Sequence, residues 1–372
     1  MKTWAYLYIF AFSSIISLFL TLLIKRIALR LGIVDHPGER KLHFEPKPLL
    51  GGLSLYISFI ITILINLLLV FYFKDTLLLR LLPAVAEQIT KIKLLLLKIS
   101  VILIGATFIT ILGLFDDLKR KSLSYKPKLI LQFIISSFVV ILGIKISFLK
   151  LEILNIIFSI LWIVLITNSF NLLDNMDGLS AGIGLISGLI LLFLVLQQQQ
   201  HFTGFMLLAL VGGLAGFLPL NFYPAKIFLG DAGSLFIGFM LASITIIASY
   251  ITPKTPSLLF PLIMPILILS VPLFDTLSVI YIRLREKRSI FKGDMSHFSH
   301  RLLRLGMTQR QVVLFIYLVS IGVGISSTLL ANTSNIESII ILIQAIIIFI
   351  LIGILMLVAK LGIIRNLNKK DG

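Results

Sequence analysis

Cysteine is absent from all 372 residues, which excludes disulfides and thiolate-bound metals and leaves the redox compartment unread. Acidic residues are few, 16 Asp and Glu against 33 Lys and Arg, so the net charge is +17. No polar stretch is longer than the loop at 283–310, and there is neither a soluble-domain linker nor an internal repeat. What the chain has in quantity is apolar: 58% of residues, with a mean hydropathy of +1.09. A soluble core needs far less, so the bilayer is the main solvent and a soluble enzyme is excluded. In such a chain the basic excess belongs beside an anionic leaflet rather than on nucleic acid.

Runs of the length that crosses a hydrocarbon layer, about 17 to 25 residues, lie near 5–24, 50–73, 94–115, 153–172, 179–196, 204–221, 233–252, 257–282, 311–331 and 338–359. A shorter run at 128–143 brings the count to eleven. The first run is followed by Lys25 and Arg26 rather than a small-residue cleavage site, so it reads as a retained helix. The expected fold is all-α: a polytopic membrane helix bundle of about eleven transmembrane helices, with 1–372 as one integral-membrane domain. Loops alternate between two faces. The face carrying 25–49, 116–128, 222–232, 283–310 and 360–372 holds 24 Lys and Arg against eight on the other. The basic face is therefore cytoplasmic, the N-terminus outside and the C-terminus inside. Omitting the short run at 128–143 destroys this asymmetry, which argues for keeping it.

Projected onto that topology, Asp116, Asp117, Asp174, Asp177 and Asp231 come from three loops and share one face. Carboxylates at a membrane edge are unfavourable, so several together point to a shared cation or substrate. In GLFDDLKRK the adjacent carboxylates Asp116 and Asp117 repel unless a cation or a shared proton offsets them. Mg²⁺ suits oxygen ligands and bridges phosphates. In NSFNLLDNMDGL, Asn168, Asn171, Asp174 and Asp177 recur every third residue, so neighbours share a helix face. Their amides can read a base or sugar, and their carboxylates can hold metal. In NFYPAKIFLGDAGS, Asp231 stands between glycines just ahead of a helix, where free backbone N–H groups could meet a phosphate.

The loop RLREKRSIFKGDMSHFSHRLLRLG sets His297 and His300 between Asp294 and Arg301. Without a zinc ligand set, diphosphate binding is the better reading. Asp275 lies inside a span and needs an interior partner such as a Lys, an Arg or a backbone donor, for structure or function alike. Arg40, Lys41 and His43 in DHPGERKLHFEP are contacts for an anionic substrate or for surface lipid.

In this order, DxPxxRKxH…PxxGG, GxxDD, NxxNxxDxxDGL, FxGDxGS, PxxDT and DxxHxxH resemble the polyprenyl-phosphate N-acetylhexosamine-1-phosphate transferase family over about residues 35–310. The resemblance implies transfer of a sugar phosphate from a UDP-amino-sugar to a polyprenyl-phosphate such as undecaprenyl-phosphate, with Mg²⁺, or Mn²⁺ in its place. The products are a lipid-linked diphosphate sugar and UMP, which begin O-antigen, teichoic-acid or related polymers. By position it casts Asp116 as base, Asp117 as metal-associated and Asp231 as principal metal ligand. It gives Asn171, Asp174 and Asp177 to the nucleotide and active-site strip, Phe228 to uracil stacking, and Asn221, Lys126 and Lys128 to polar contacts. His297, His300 and Arg301 fall where diphosphate is bound. Ser299 replaces a usual His and Asn175 a usual Gly, which bears on sugar and phosphate contacts.

The HFSHRLLRLGMTQRQ loop resembles the GlcNAc-using branch more than the UDP-MurNAc-pentapeptide branch that makes lipid I, which stays as the alternative. A transporter is the rival from another class, although its coupling residues belong near the midplane rather than at one face. A homodimer is left open.

Overall fold

The computed structural model describes residues 2–37, 45–73, 92–119, 124–147, 149–248, 260–290, 295–330 and 335–368. Their helices are α1 (Lys2–Leu31), α2 (Gly51–Phe73), α3 (Ile92–Leu118), α4 (Tyr125–Ile141), α5 (Glu152–Leu173), α6 (Leu179–Gln197), α7 (His201–Asn221), α8 (Gly230–Ile247), α9 (Phe260–Ile268), α10 (Ser270–Arg285), α11 (Phe298–Arg304), α12 (Gln309–Leu329) and α13 (Asn335–Asn368). Beside them, β1 (Val34–Asp35) and β2 (Lys47–Pro48) form one short antiparallel pair, Val34 opposite Pro48 and Asp35 opposite Lys47. Among the described residues nine helices are long and apolar enough to cross a membrane, so the chain is a multi-pass, all-α membrane protein. In lipid each helix satisfies its own backbone polar groups, which is why this composition yields helices.

The two remaining expected runs take other forms. The run at 128–143 is α4, a helix of 17 residues. The run at 257–282 is broken: Leu269, with φ −102° and ψ 21°, separates α9 from α10. Pro272, in the first turn of α10, has no N–H to offer Ile268, so one continuous helix loses a bond there while a new helix start tolerates it. The chain groups into two compact units, Met1–Ser249 and Tyr250–Gly372, where the sequence reading treats 1–372 as one domain.

In the first unit α8 is the axis. Residues 232–245 are all buried, and it packs on α3 and α5, then on α2 and α6. A helix apolar all round belongs in this place. Small residues allow the approach. A Cβ on Gly52 of α2 would lie 2.0 Å from the Gly233 nitrogen, and one on Gly113 of α3 would lie 2.5 Å from Ala232 Cα. The same device joins α1 to α7: Ser13 Oγ donates to the Ala209 carbonyl at 2.6 Å and Ser17 Oγ to that of Gly213 at 2.7 Å. A Cβ on Gly216 would meet the Ser14 carbonyl at 2.1 Å. With lipid outside, close contact and such bonds do what water expulsion does in soluble proteins.

The segment ahead of α8 is stitched to the hairpin and α2. Phe228 N–H donates to the Pro48 carbonyl at 2.9 Å, Gly51 N–H to that of Phe228 at 3.0 Å, and Gly52 N–H to that of Leu229 at 2.7 Å. In the second unit α12 packs against α9, α10 and α11.

Gly52→Ala should therefore push α2 from α8, at about 1–3 kcal/mol, and lower the melting temperature in detergent. Gly322→Ala in α12, whose Cβ would meet nothing within 4 Å, should leave it unchanged or raised. Equal effects of the two would contradict this packing.

Candidate active site

Asp117, in the last turn of α3, is fixed to the start of α8. Its Oδ1 accepts from the Asp231 N–H at 2.8 Å and its Oδ2 from the Ala232 N–H at 3.0 Å. The free ends of a helix carry unpaired N–H groups and positive partial charge, so a carboxylate there is doubly favoured. Gly230 makes room: its φ is +73°, and a Cβ on it would lie 2.6 Å from Asp117 Oδ2. Two expectations change here. Asp231 sits within the first turn of α8 rather than ahead of it, and its N–H is held by Asp117 rather than free for a phosphate. Asp117, read as metal-associated, lends each of its oxygens to one N–H of α8, which fixes where Asp231 stands and leaves further lone pairs on both oxygens.

Three oxygens then converge on one ammonium. Lys128 Nζ, in the first turn of α4, donates to Asp116 Oδ2 at 3.1 Å, to Asn171 Oδ1 at 3.3 Å and, closely, to Asp231 Oδ2. Asn171 Nδ2 in turn donates to Asp231 Oδ1 at 2.8 Å and to Ser234 Oγ at 3.0 Å, so the amide orientation is set by what it binds. One turn further along α4 and one step back along α5, Asn168 Nδ2 donates to Gln132 Oε1 at 2.5 Å. These two rungs hold α4 to α5 in register. Ser234 closes the FxGDxGS motif without having been singled out, and Gln132 lies in no motif.

Lys126 is exposed at the start of α4, away from Lys128. Two residues apart on a helix they face different sides, so the structure separates this predicted pair. Asp177 Oδ2 accepts from the Ala225 N–H at 2.9 Å, which ties the α5–α6 turn to the α7–α8 segment. Asn221, 3% exposed, braces that segment by donating to the Ile227 carbonyl at 3.0 Å. Phe228 is half-buried there. Asn175 Nδ2 closes α5 by donating to the Leu172 carbonyl at 2.8 Å. Asp174, the residue after α5, is the strained acid. Burial first, then negative charge on Asp231, Asp117 and Asp177, pushes its carboxyl well above the usual carboxylate range. Arg40, Lys41, His43 and Asp294 lie outside the described residues.

The second unit holds its own cluster. Asp275 of α10 takes His297 Nδ1 at 2.8 Å on Oδ2 and the Phe298 N–H at 2.5 Å on Oδ1, so it caps α11 as well as orienting the ring. A carboxylate oxygen at this distance is served by a hydrogen on Nδ1, which turns Nε2 away from Asp275 as the ring's other polar atom. The partner that Asp275 needs is thus a histidine and a backbone donor. The His297 and His300 ring centroids are 6.4 Å apart. Arg301 donates to Ser278 Oγ at 2.6 Å, and burial holds its guanidinium below the ordinary arginine range, against the pull of Asp275. Ser299 is buried in α11.

Among the described residues no three His, Cys, Asp or Glu side chains gather as a metal cluster. Two carboxylates and an amide oxygen nevertheless converge on one cation, the Lys128 ammonium. That all-oxygen set fits Mg²⁺, which commonly uses one or two carboxylates and retains water.

Asp117→Asn leaves one acceptor for two N–H groups and removes the charge at the helix start, so the melting temperature should fall, by about 1–2 kcal/mol of stability. Asp174 gives a pH test. With its proton held more tightly in the folded chain than in the unfolded one, stability falls as pH rises above the ordinary carboxylate range. Thermal melts in EDTA should show that decline, and Asp174→Asn should make it shallower. A wild-type melt insensitive to pH would contradict the assignment.

Comparison with known proteins places this geometry. The family model described as glycosyl transferase family 4 matches residues 99–249, which run from within α3 to the end of α8 and hold the whole of the first cluster. The chain is 32% identical to the probable undecaprenyl-phosphate N-acetylglucosaminyl 1-phosphate transferase of Bacillus subtilis (strain 168), over 94% of this chain and 90% of that protein. It is 31% identical to the decaprenyl-phosphate N-acetylglucosaminephosphotransferase of Mycobacterium leprae (strain TN), over 87% of this chain and 83% of that protein. Similarity to the phospho-N-acetylmuramoyl-pentapeptide-transferase of Enterococcus faecalis (strain ATCC 700802 / V583) is local: 47% identity over 24% of this chain and 28% of that protein. With a relative matched almost end to end and the acidic cluster inside the matched core, the chain belongs to glycosyl transferase family 4, among the polyprenyl-phosphate N-acetylglucosamine-1-phosphate transferases.

Proposed function

We propose that this protein transfers GlcNAc-1-phosphate from UDP-GlcNAc to undecaprenyl-phosphate, giving a lipid-linked diphosphate sugar and UMP and opening the synthesis of a cell-envelope polysaccharide. The observation that carries the reading is the convergence of Asp116, Asp231 and Asn171 on a single cation at the ends of membrane helices. A polyprenyl-phosphate presents its headgroup at that depth, while a nucleotide sugar arrives from water. The 24-to-eight bias of Lys and Arg supports a cytoplasmic site in the cell membrane, with the N-terminus outside.

A lipid phosphate oxygen forms a bond to the sugar-bearing phosphorus as the bond from that phosphorus to the UMP oxygen breaks, and UMP leaves with the electron pair. Such a transfer needs positioning and charge neutralisation more than covalent help from the protein. Asp116 and Asp231 are the residues that would hold Mg²⁺, with Asn171 contributing its amide oxygen; when bound, the ion offsets the charge of the phosphates. Asp116 also stands where a base would accept a proton from the lipid phosphate. Asp117 fixes the first turn of α8, hence Asp231. The family resemblance assigns His297, which Asp275 orients, and Arg301 to diphosphate binding.

The near end-to-end similarity to GlcNAc-1-phosphate transferases, against a local match to the pentapeptide transferase, favours GlcNAc over the MurNAc-pentapeptide donor. A transporter gains nothing from acids at one face, and no described residue pattern favours it.

Purified protein in detergent with undecaprenyl-phosphate and radiolabelled UDP-GlcNAc should yield a butanol-extractable labelled lipid. EDTA should abolish the labelling and Mg²⁺ restore it. Asp231→Asn and Asp116→Asn should lower it at least about 100-fold with the melting transition retained. Labelling with another UDP-sugar alone would change the donor. No labelling with any UDP-sugar would overturn the transferase reading.

A further inference from the structure

The oxygens that fit the divalent cation already hold a positive charge. Lys128 Nζ lies 3.1 Å from Asp116 Oδ2 and 3.3 Å from Asn171 Oδ1 and is in close contact with Asp231 Oδ2. Its side chain is only 13% exposed and that of Asp116 only 6%, while that of Asp231 is 30% exposed, so water screens the Lys128–Asp116 side of the contact little. A lysine at the membrane-water boundary has easier places for its charge. Its four-carbon stem lets an ammonium reach solvent or a headgroup phosphate. Here the stem is turned inward, and α4 is held so by the Gln132–Asn168 bond one turn along.

We propose that the Lys128 ammonium is an internal stand-in for the divalent cation, so that metal binding and release of Lys128 from Asp116 and Asp231 are a single exchange. The inference rests on the proposed use of Mg²⁺ at these carboxylates. Two cations cannot both be centred among the same oxygens, because their repulsion at such a distance is large in a poorly screened site. In the absence of metal the ammonium offsets the Asp116–Asp231 repulsion and keeps α3, α4 and α8 together. When the ion takes the oxygens, Lys128 is left as a mobile cation beside it, within reach of a phosphate that the ion also contacts. Lys128 thus couples two events: it keeps the acids paired before the substrate arrives, and it becomes available for a phosphate only once the metal is in place. This separates Lys128 from Lys126, which is exposed on another side of α4 and has no such exchange to make.

The test uses Mn²⁺ as the probe, read by the loss of its free-ion electron paramagnetic resonance signal on titration into purified full-length protein without substrate. Lys128→Met keeps most of the stem and removes the competing charge. It should bind Mn²⁺ about tenfold or more tightly than wild type, whereas Lys126→Met should bind it as wild type does. Lys128→Met binding no tighter than wild type, with wild type binding one Mn²⁺, would overturn the exchange and leave the metal site standing. Failure of both proteins to bind Mn²⁺ would overturn the exchange together with the metal reading. A second measurement needs no variant. Acetylation of Lys128 by an N-hydroxysuccinimide ester, followed by peptide mass spectrometry, should be slow in EDTA and several-fold faster in Mg²⁺, with Lys126 as the internal reference. A Lys128 rate that Mg²⁺ leaves unchanged or lowers would overturn the exchange even if the variant failed to fold.

Discussion

Carboxylates crowded at the end of an apolar helix bundle must each be met by something positive, and this requirement organises the first unit of the protein. Asp117 is met by the first N–H groups of α8, Asp177 by the Ala225 N–H, and Asp116 and Asp231 by the Lys128 ammonium. Asp174 is met least well, and its carboxyl is pushed toward the protonated form. The pairing also orders the chain. Apart from Lys128–Asp116, which links the neighbouring α3 and α4, these contacts join segments distant in sequence, so satisfying the acids fixes the ends of α3, α4, α5 and α8 against one another.

The helix packing beneath makes such precision attainable. α8 is enclosed by its neighbours, and at its first turns glycine is what permits contact: Gly52 of α2 against Gly233, Gly113 of α3 against Ala232, and Gly230 against the Asp117 carboxylate. A side chain at any of these would move Asp231 away from Lys128 and Asn171. The FLGDAGS sequence is thus better read as a packing and capping device that holds Asp231 in place than as a loop awaiting a phosphate. In the second unit Asp275 does comparable work, fixing one nitrogen of His297 and the first N–H of α11 at once.

Much of this was legible in the amino-acid sequence, for physical reasons that also mark where legibility ends. Hydropathy reveals helices because lipid imposes length, and the alternation of basic loops revealed α4 although its apolar run was short. Hydropathy is blind to a break such as Leu269, where an apolar run continues while Pro272 interrupts the bonding. The clustering of acids could be read because charge is rare here and each instance needs a reason. The resemblance marked Lys128 together with Lys126, but that Lys128 alone meets the acids could not be read, since positive charge at this face has a bland explanation for each of the 24 Lys and Arg there. Nor could the capping by Asp117, whose partners lie more than a hundred residues away. Gln132 gives no signal, because amides find partners in many settings, and Ser234, although inside FxGDxGS, was overshadowed there by Asp231. Asn221 was marked by resemblance as a polar site residue, and the structure shows it bracing backbone.

The central claim is that Asp116 and Asp231 jointly hold the divalent cation, with Asp117 positioning rather than ligating. Crystals of the protein grown with Mn²⁺ and measured at the manganese absorption edge test it most directly. The account predicts one anomalous peak bonded to both the Asp116 and Asp231 carboxylates, with Asp117 still on the α8 N–H groups. A peak held by Asp117, or one remote from α8 with Lys128 still between Asp116 and Asp231, would contradict it.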